Sequence, residues 1–181
     1  MPDPADTLET KLAPQVRTMQ IVVLAMVVVP LIFAGVVLVI GAQGPENPAP
    51  IQGEMIPQRG GATMGRIALG FGLVAMLAQQ LMGRYVTSQA VQNLKVQAMG
   101  EPERLGEAFM TGTVVSCAIN EGAAFLNLIA YMASQSPYNL GMGLLLIASN
   151  AIKWPTLGKV AAWARMTAKR LKEERELKAT R

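Results

Sequence analysis

One carboxylate stands alone in a long apolar run. Between Ala108 and Met132 the only formal charge is Glu121. At the centre of a bilayer a charged side chain costs roughly 2.5–3.5 kcal/mol on insertion scales, so such a residue faces other helices or is carried in its neutral form. Its neighbours are not uniformly apolar. Thr113, Ser116, Asn120, Asn127 and Tyr131 recur at helical spacing and form a polar stripe. Glu121 lies just off that stripe, with Cys117 between them on the helical wheel. Val115, Ile119, Leu126 and Ala130 fall on the other side, the expected lipid side. Two chemistries fit. Glu121, with Asn120, Asn127 and Tyr131 beside it, can bind and release a proton or cation. Alternatively, Glu121 is a neutral donor in an interhelical hydrogen bond, and the two asparagines are helix glue.

Other chemistries are excluded by what the chain lacks. It has no histidine and one cysteine, Cys117. A disulfide within the chain is impossible. So are a zinc site built from Cys and His and a nucleophile activated by histidine. We therefore expect no metal, no cofactor and a non-enzymatic role. Nine of the sixteen Lys and Arg residues lie from Lys153 onward, so the net charge of +4 belongs to a tail. That stretch has two aromatic residues, Trp154 and Trp163, and three acids among its bases, which argues against a nucleic-acid partner.

The elements that must position Glu121 are membrane helices. Half of the chain (51%) is hydrophobic and 15% is charged, against about a quarter charged in an average soluble domain. The reading is an all-α, polytopic membrane protein. It has a polar segment 1–18, a four-helix membrane domain 19–168 and a charged tail 169–181. The helices are expected at about 19–42, 64–83, 108–133 and 138–162. A span needs about 20 apolar residues. The first run, Met19 to Ala42, exceeds a signal-peptide core of about 7–15 residues, so an uncleaved anchor is expected, with Pro30 in its middle. Gly44 to Gly61 is rich in Pro and Gly and reads as a loop.

In the second helix the small residues Gly61, Gly65, Ala68, Gly72 and Ala75 share one face, a packing surface for another membrane helix. Gln79 and Gln80 read as interfacial polarity. Gly100-Glu101-Pro102-Glu103 reads as the start of the third helix, since Pro suits the first turn and acids suit the positive end of the dipole. The fourth run, Leu140 to Ile152, is short. It lengthens through Val160 to Ala162 if Lys153 and Lys159 extend their amines toward the interface.

Basic residues set orientation. Four crossings put fourteen of the Lys and Arg residues inside and two, Arg59 and Arg66, outside. The expectation is a multi-pass protein of a bacterial cytoplasmic (inner) membrane with both termini cytoplasmic. Its partners are the lipid bilayer and either other membrane subunits or further copies of itself.

The segment GEPERLGEAFMTGTVVSCAINEGAAFLNLIAYM, Gly100 to Met132, resembles the second helix of the c subunit of rotary ATP synthases. Pro102-Glu103 stands where that family has a Pro-acid pair in a polar loop. Glu121 stands where it carries its mid-membrane carboxylate. The resemblance implies that Glu121 is the proton- or cation-binding group. The phrase EGAAFLNLIAYM is also similar to a pattern in small uncharacterised bacterial membrane proteins.

Overall fold

The computed structural model describes residues 4–42, 59–96 and 102–179. They form five helices: α1 Pro4–Ala42, α2 Arg59–Val96, α3 Pro102–Ser134, α4 Pro137–Ile152 and α5 Leu157–Ala179. Most of the Pro-rich loop (residues 43–58) and Gly100-Glu101 lie outside the described residues.

α1, α2 and α3 are long and apolar enough to cross a membrane. They are also far longer than the expected spans, at 39, 38 and 33 residues. At 1.5 Å per residue the longest is roughly 58 Å, about twice the hydrocarbon core of roughly 30 Å. The reason is local. Apolar composition marks where lipid begins, but a helix stops only at a breaker. From Arg84 to Val96 there is no Gly or Pro, so α2 runs on. α1 carries Pro14 and Pro30 within a continuous helix; each forfeits one backbone hydrogen bond.

The fourth helix departs from expectation. The predicted element at 138–162 is two helices, α4 and α5, separated at residues 153–156. Pro155 has no N–H to donate and drives Trp154 away from helical geometry. Thr156 then starts α5: the Lys159 N–H donates to its Oγ1 at 3.4 Å, the arrangement of an N-cap. α4 is 16 residues, roughly 24 Å. Residues 169–179 of the expected tail belong to α5, where Lys169 and Glu173 stand one turn apart at 3.9 Å. Between α3 and α4, Gln135 takes a left-handed conformation (φ 51°) and its N–H reaches the Tyr131 carbonyl at 2.7 Å. Pro137 opens α4, where a missing N–H costs nothing.

The helices form two compact units. Unit 1 gathers residues 1–24, 80–116 and 153–181. Its interior holds Leu12, Val16, Met19, Leu105, Val160 and Leu171. The rings of Phe109 and Trp163 pack at 5.2 Å. Gln20 donates to the Pro155 carbonyl at 2.9 Å, and Arg165 pairs with Glu9 at 3.1 Å. These contacts set α5 alongside the first part of α1, running the opposite way.

Unit 2 gathers residues 25–79 and 117–152. Its core is built largely from small side chains: Ala34, Ala75, Ala123 and Ala124, with Leu128, Leu146 and Ile147. Small residues let helix backbones approach, the main source of packing energy where lipid is as apolar as the side chains. On the outside, α1 and α2 expose Ile32, Val39, Ile67, Val74 and Leu77, each more than half exposed. Exposed apolar faces of this extent suit lipid and are rare on soluble monomers.

Candidate functional site

Two polar features lie within unit 2, and they are separate. The first is an amide network. Asn120 on α3 is fully buried. Its Nδ2 has two protons to give, to Gln79 Oε1 on α2 at 2.6 Å and Asn150 Oδ1 on α4 at 3.0 Å, with Ser149 Oγ also within reach at 3.2 Å. Gln79 Nε2 donates to Ser149 Oγ at 3.2 Å, and Asn150 Nδ2 to the Cys117 carbonyl at 3.1 Å. Three helices are thereby tied at one level.

Two more polar layers follow along α3. Asn127, also fully buried, donates to the main-chain carbonyls of Ala68 and Ala123 at 3.0 and 2.9 Å. It reaches the α2 backbone because Gly72 has no side chain; a Cβ there would stand 2.9 Å from Asn127 Nδ2 and 2.7 Å from Met142 Cγ. In the third layer Asn139 Nδ2 donates to Ser134 Oγ at 3.2 Å, over Gly65. Positions 120, 127 and 134 on α3 thus meet 79, 72 and 65 on α2. A seven-residue repeat on both partners is the signature of helices packed at a shallow angle.

The network leaves three acceptors over. The Oδ1 atoms of Asn120, Asn127 and Asn139 are buried without a hydrogen bond. Their orientation is dictated by chemistry. Reversing the Asn127 amide would set its oxygen against two carbonyls. Reversing Asn120 would set oxygen against the Gln79 and Asn150 oxygens. Ser134 gives its own proton to the Ala130 carbonyl at 2.7 Å, so the atom of Asn139 that faces it has to be the nitrogen.

The second feature is Glu121. It is half-buried and takes part in none of the hydrogen bonds of the amide network. The residues expected to share a site with it do not converge. Asn120 and Asn127 face α2 and α4. Tyr131 lies beside Gly41 near the end of α1, where a Cβ on Gly41 would be 3.8 Å from the tyrosine hydroxyl. Glu121 lies on the flank of α3 that meets α1, one turn before Phe125, whose ring packs on Phe33 at 5.2 Å.

The predicted packing face of α2 is occupied from within the chain. Gly65, Ala68, Gly72 and Ala75 are buried, and Gly61 partly so, against residues 133 and 134. The expected lipid side of α3 is rotated from its predicted place. Ala130 is fully buried and Val115, Ile119 and Leu126 are half-buried, while Ala118, Gly122, Ile129 and Met132 are exposed. The α1 contact claims the flank between these and the polar stripe.

Sequence reasoning missed Gln79, Ser149, Asn150 and Asn139 as members of the network. A signal existed: amides inside the apolar runs of α2 and α4, with Gln79 one heptad from Gly72. In unit 1, Lys153 Nζ donates to Ser116 Oγ at 2.6 Å, so this amine turns to α3. No protein-family model matches the chain, and neither does any curated protein or solved structure.

Proposed function

We propose that this chain is a small four-crossing membrane protein serving as a non-enzymatic packing or partner subunit. The amide network carries this reading. Its donors are spent on bonds between α2, α3 and α4, the use expected of amides that hold helices together in lipid. α4 makes the fourth crossing with help from Lys153 and Trp154, an amphipathic pair suited to an interface. Both termini lie on the cytoplasmic side of a bacterial inner membrane. The packing of α5 against the start of α1 supports a common side for the two ends.

A second reading is favoured by Glu121 itself. It stands apart from the network, half-exposed within an apolar stretch, and so is available to bind a proton or cation. The resemblance to the rotary c subunit points the same way. Glu121→Gln decides between the two. It keeps size and hydrogen bonding and removes the exchangeable proton. Under the packing reading, stability and cellular phenotype survive the change. Under the ion-binding reading, activity is lost while the fold remains.

A further inference from the structure

Pro30 and Glu121 lie on neighbouring helices, α1 and α3, whose Phe33 and Phe125 rings pack at 5.2 Å. Pro30 lies within α1 and is buried. A proline has no N–H, so the Met26 carbonyl loses the hydrogen bond that residue 30 would have given it. Membrane helices tolerate this where neighbouring polar side chains or waters meet the freed group. α1 offers none: from Ile21 to Ala42 it has no residue with a hydrogen-bonding side chain.

The partner helix does. α1 and α3 run parallel in unit 2, since Phe33 meets Phe125 and, further along both, Gly41 meets Tyr131 and Gln135. One turn before Phe125 is Glu121, and one turn before Phe33 is Val29. Met26 is two turns before Phe33 on the same side of α1. Its carbonyl points toward residue 30, as helix carbonyls point to the C-terminus. The Glu121 side chain leans toward the N-terminus of α3. The two groups therefore approach one level from opposite directions. The other α3 side chains on this flank are Cys117, Phe125 and Leu128, and none is a strong donor.

We propose that Glu121 and the Met26 carbonyl form a two-oxygen proton site that Pro30 creates. This rests on the proton-binding reading of Glu121. Neutral Glu121 donates its O–H to the Met26 carbonyl, and each group satisfies the other. Loading turns carboxylate and hydronium into acid and water. Release reverses it at the exposed edge of the carboxyl, leaving two acceptors facing each other. One oxygen from each group can share a proton, but the three oxygens the two groups offer fall short of the six or more that hard metal cations such as calcium and magnesium take. Among the described residues of unit 2, α1 has no charge from Ala25 to Ala42, α4 has none, and α2 has only Arg59 and Arg66, at its start. The other titratable groups among them are Cys117 and Tyr131 on α3 and Tyr138 on α4.

The test is infrared spectroscopy of the full chain in lipid, with Glu121→Gln subtracted to isolate the Glu121 carboxyl band. In the wild type we expect an acid band that disappears as pH rises, with no response to sodium. Pro30→Ala returns an N–H to residue 30, and the Met26 carbonyl closes its helical bond. The acid band should then move to higher frequency, as for a carboxylic acid that has lost its acceptor. Pro30→Leu, which fills the buried space differently, should do the same if Pro30→Ala folds poorly. A wild-type band that titrates but is unmoved in the folded variant overturns the Met26 assignment and leaves the proton reading standing. A band that sodium removes at constant pH overturns the choice of proton. A carboxyl that never titrates overturns both.

Discussion

Gly72→Ala adds one methyl group where α2, α3 and α4 meet, and the structure says what it would strike. The new Cβ would stand 2.9 Å from Asn127 Nδ2 and 2.7 Å from Met142 Cγ. Met142 is flexible and can turn aside. Asn127 cannot, because its nitrogen is held by the Ala68 and Ala123 carbonyls. Overpacking a tight core costs about 1–3 kcal/mol. Breaking the Asn127–Ala68 bond adds about 0.6 kcal/mol, the average for interhelical bonds in membranes. Against this, Ala is better than Gly in a helix by about 1 kcal/mol. Gly70→Ala isolates that last effect, since Gly70 is on the same helix with nothing within 4 Å of its added Cβ. The helix preference cancels between the two variants, and Gly72→Ala should be the less stable by about 1.6–3.6 kcal/mol. At about 2–4 °C per kcal/mol, that is a melting difference of roughly 3–14 °C. Cys117 supplies the assay: it is the single cysteine and fully buried, so a thiol-reactive dye reports unfolding in detergent. If Gly72→Ala melts with Gly70→Ala or above it, the close approach of Asn127 to α2 is wrong.

Other expectations follow from the same contacts. Asn150→Ala should destabilise by about 1–3 kcal/mol, the cost of leaving buried partners unpaired, because it strips an acceptor from Asn120 and a donor from the Cys117 carbonyl; a melt equal to wild type would remove the network from the account of stability. Reporter fusions after Thr18, Gln52, Lys95 and Arg181 should read in, out, in and in. An outside reading at Arg181 would show that α4 does not cross.

How much of this was legible in the sequence depends on the range over which each feature is decided. The membrane character, the helical content and the isolation of Glu121 among apolar residues are matters of composition and local order. They follow from the chain alone, because lipid requires every backbone group to be bonded within its own segment. The break before Thr156 was equally local, and Pro155 marks it; the expected 138–162 helix gave more weight to apolar content than to a missing N–H. The heptad match of 65, 72 and 79 to 120, 127 and 134 was half visible, as a small face on one helix and a polar stripe on another. That these faces meet each other, and not lipid or a second copy, is a tertiary fact. It depends on which helices are neighbours and on their register, which the chain's periodicity does not encode. The same holds for Gln79, an ordinary interfacial amide by position and a buried link once α3 and α4 lie against it. Glu121 is the clearest case: its type and place in α3 come from the sequence, but only the packing of α2 and α4 against Asn120 and Asn127 sets it apart from the asparagines.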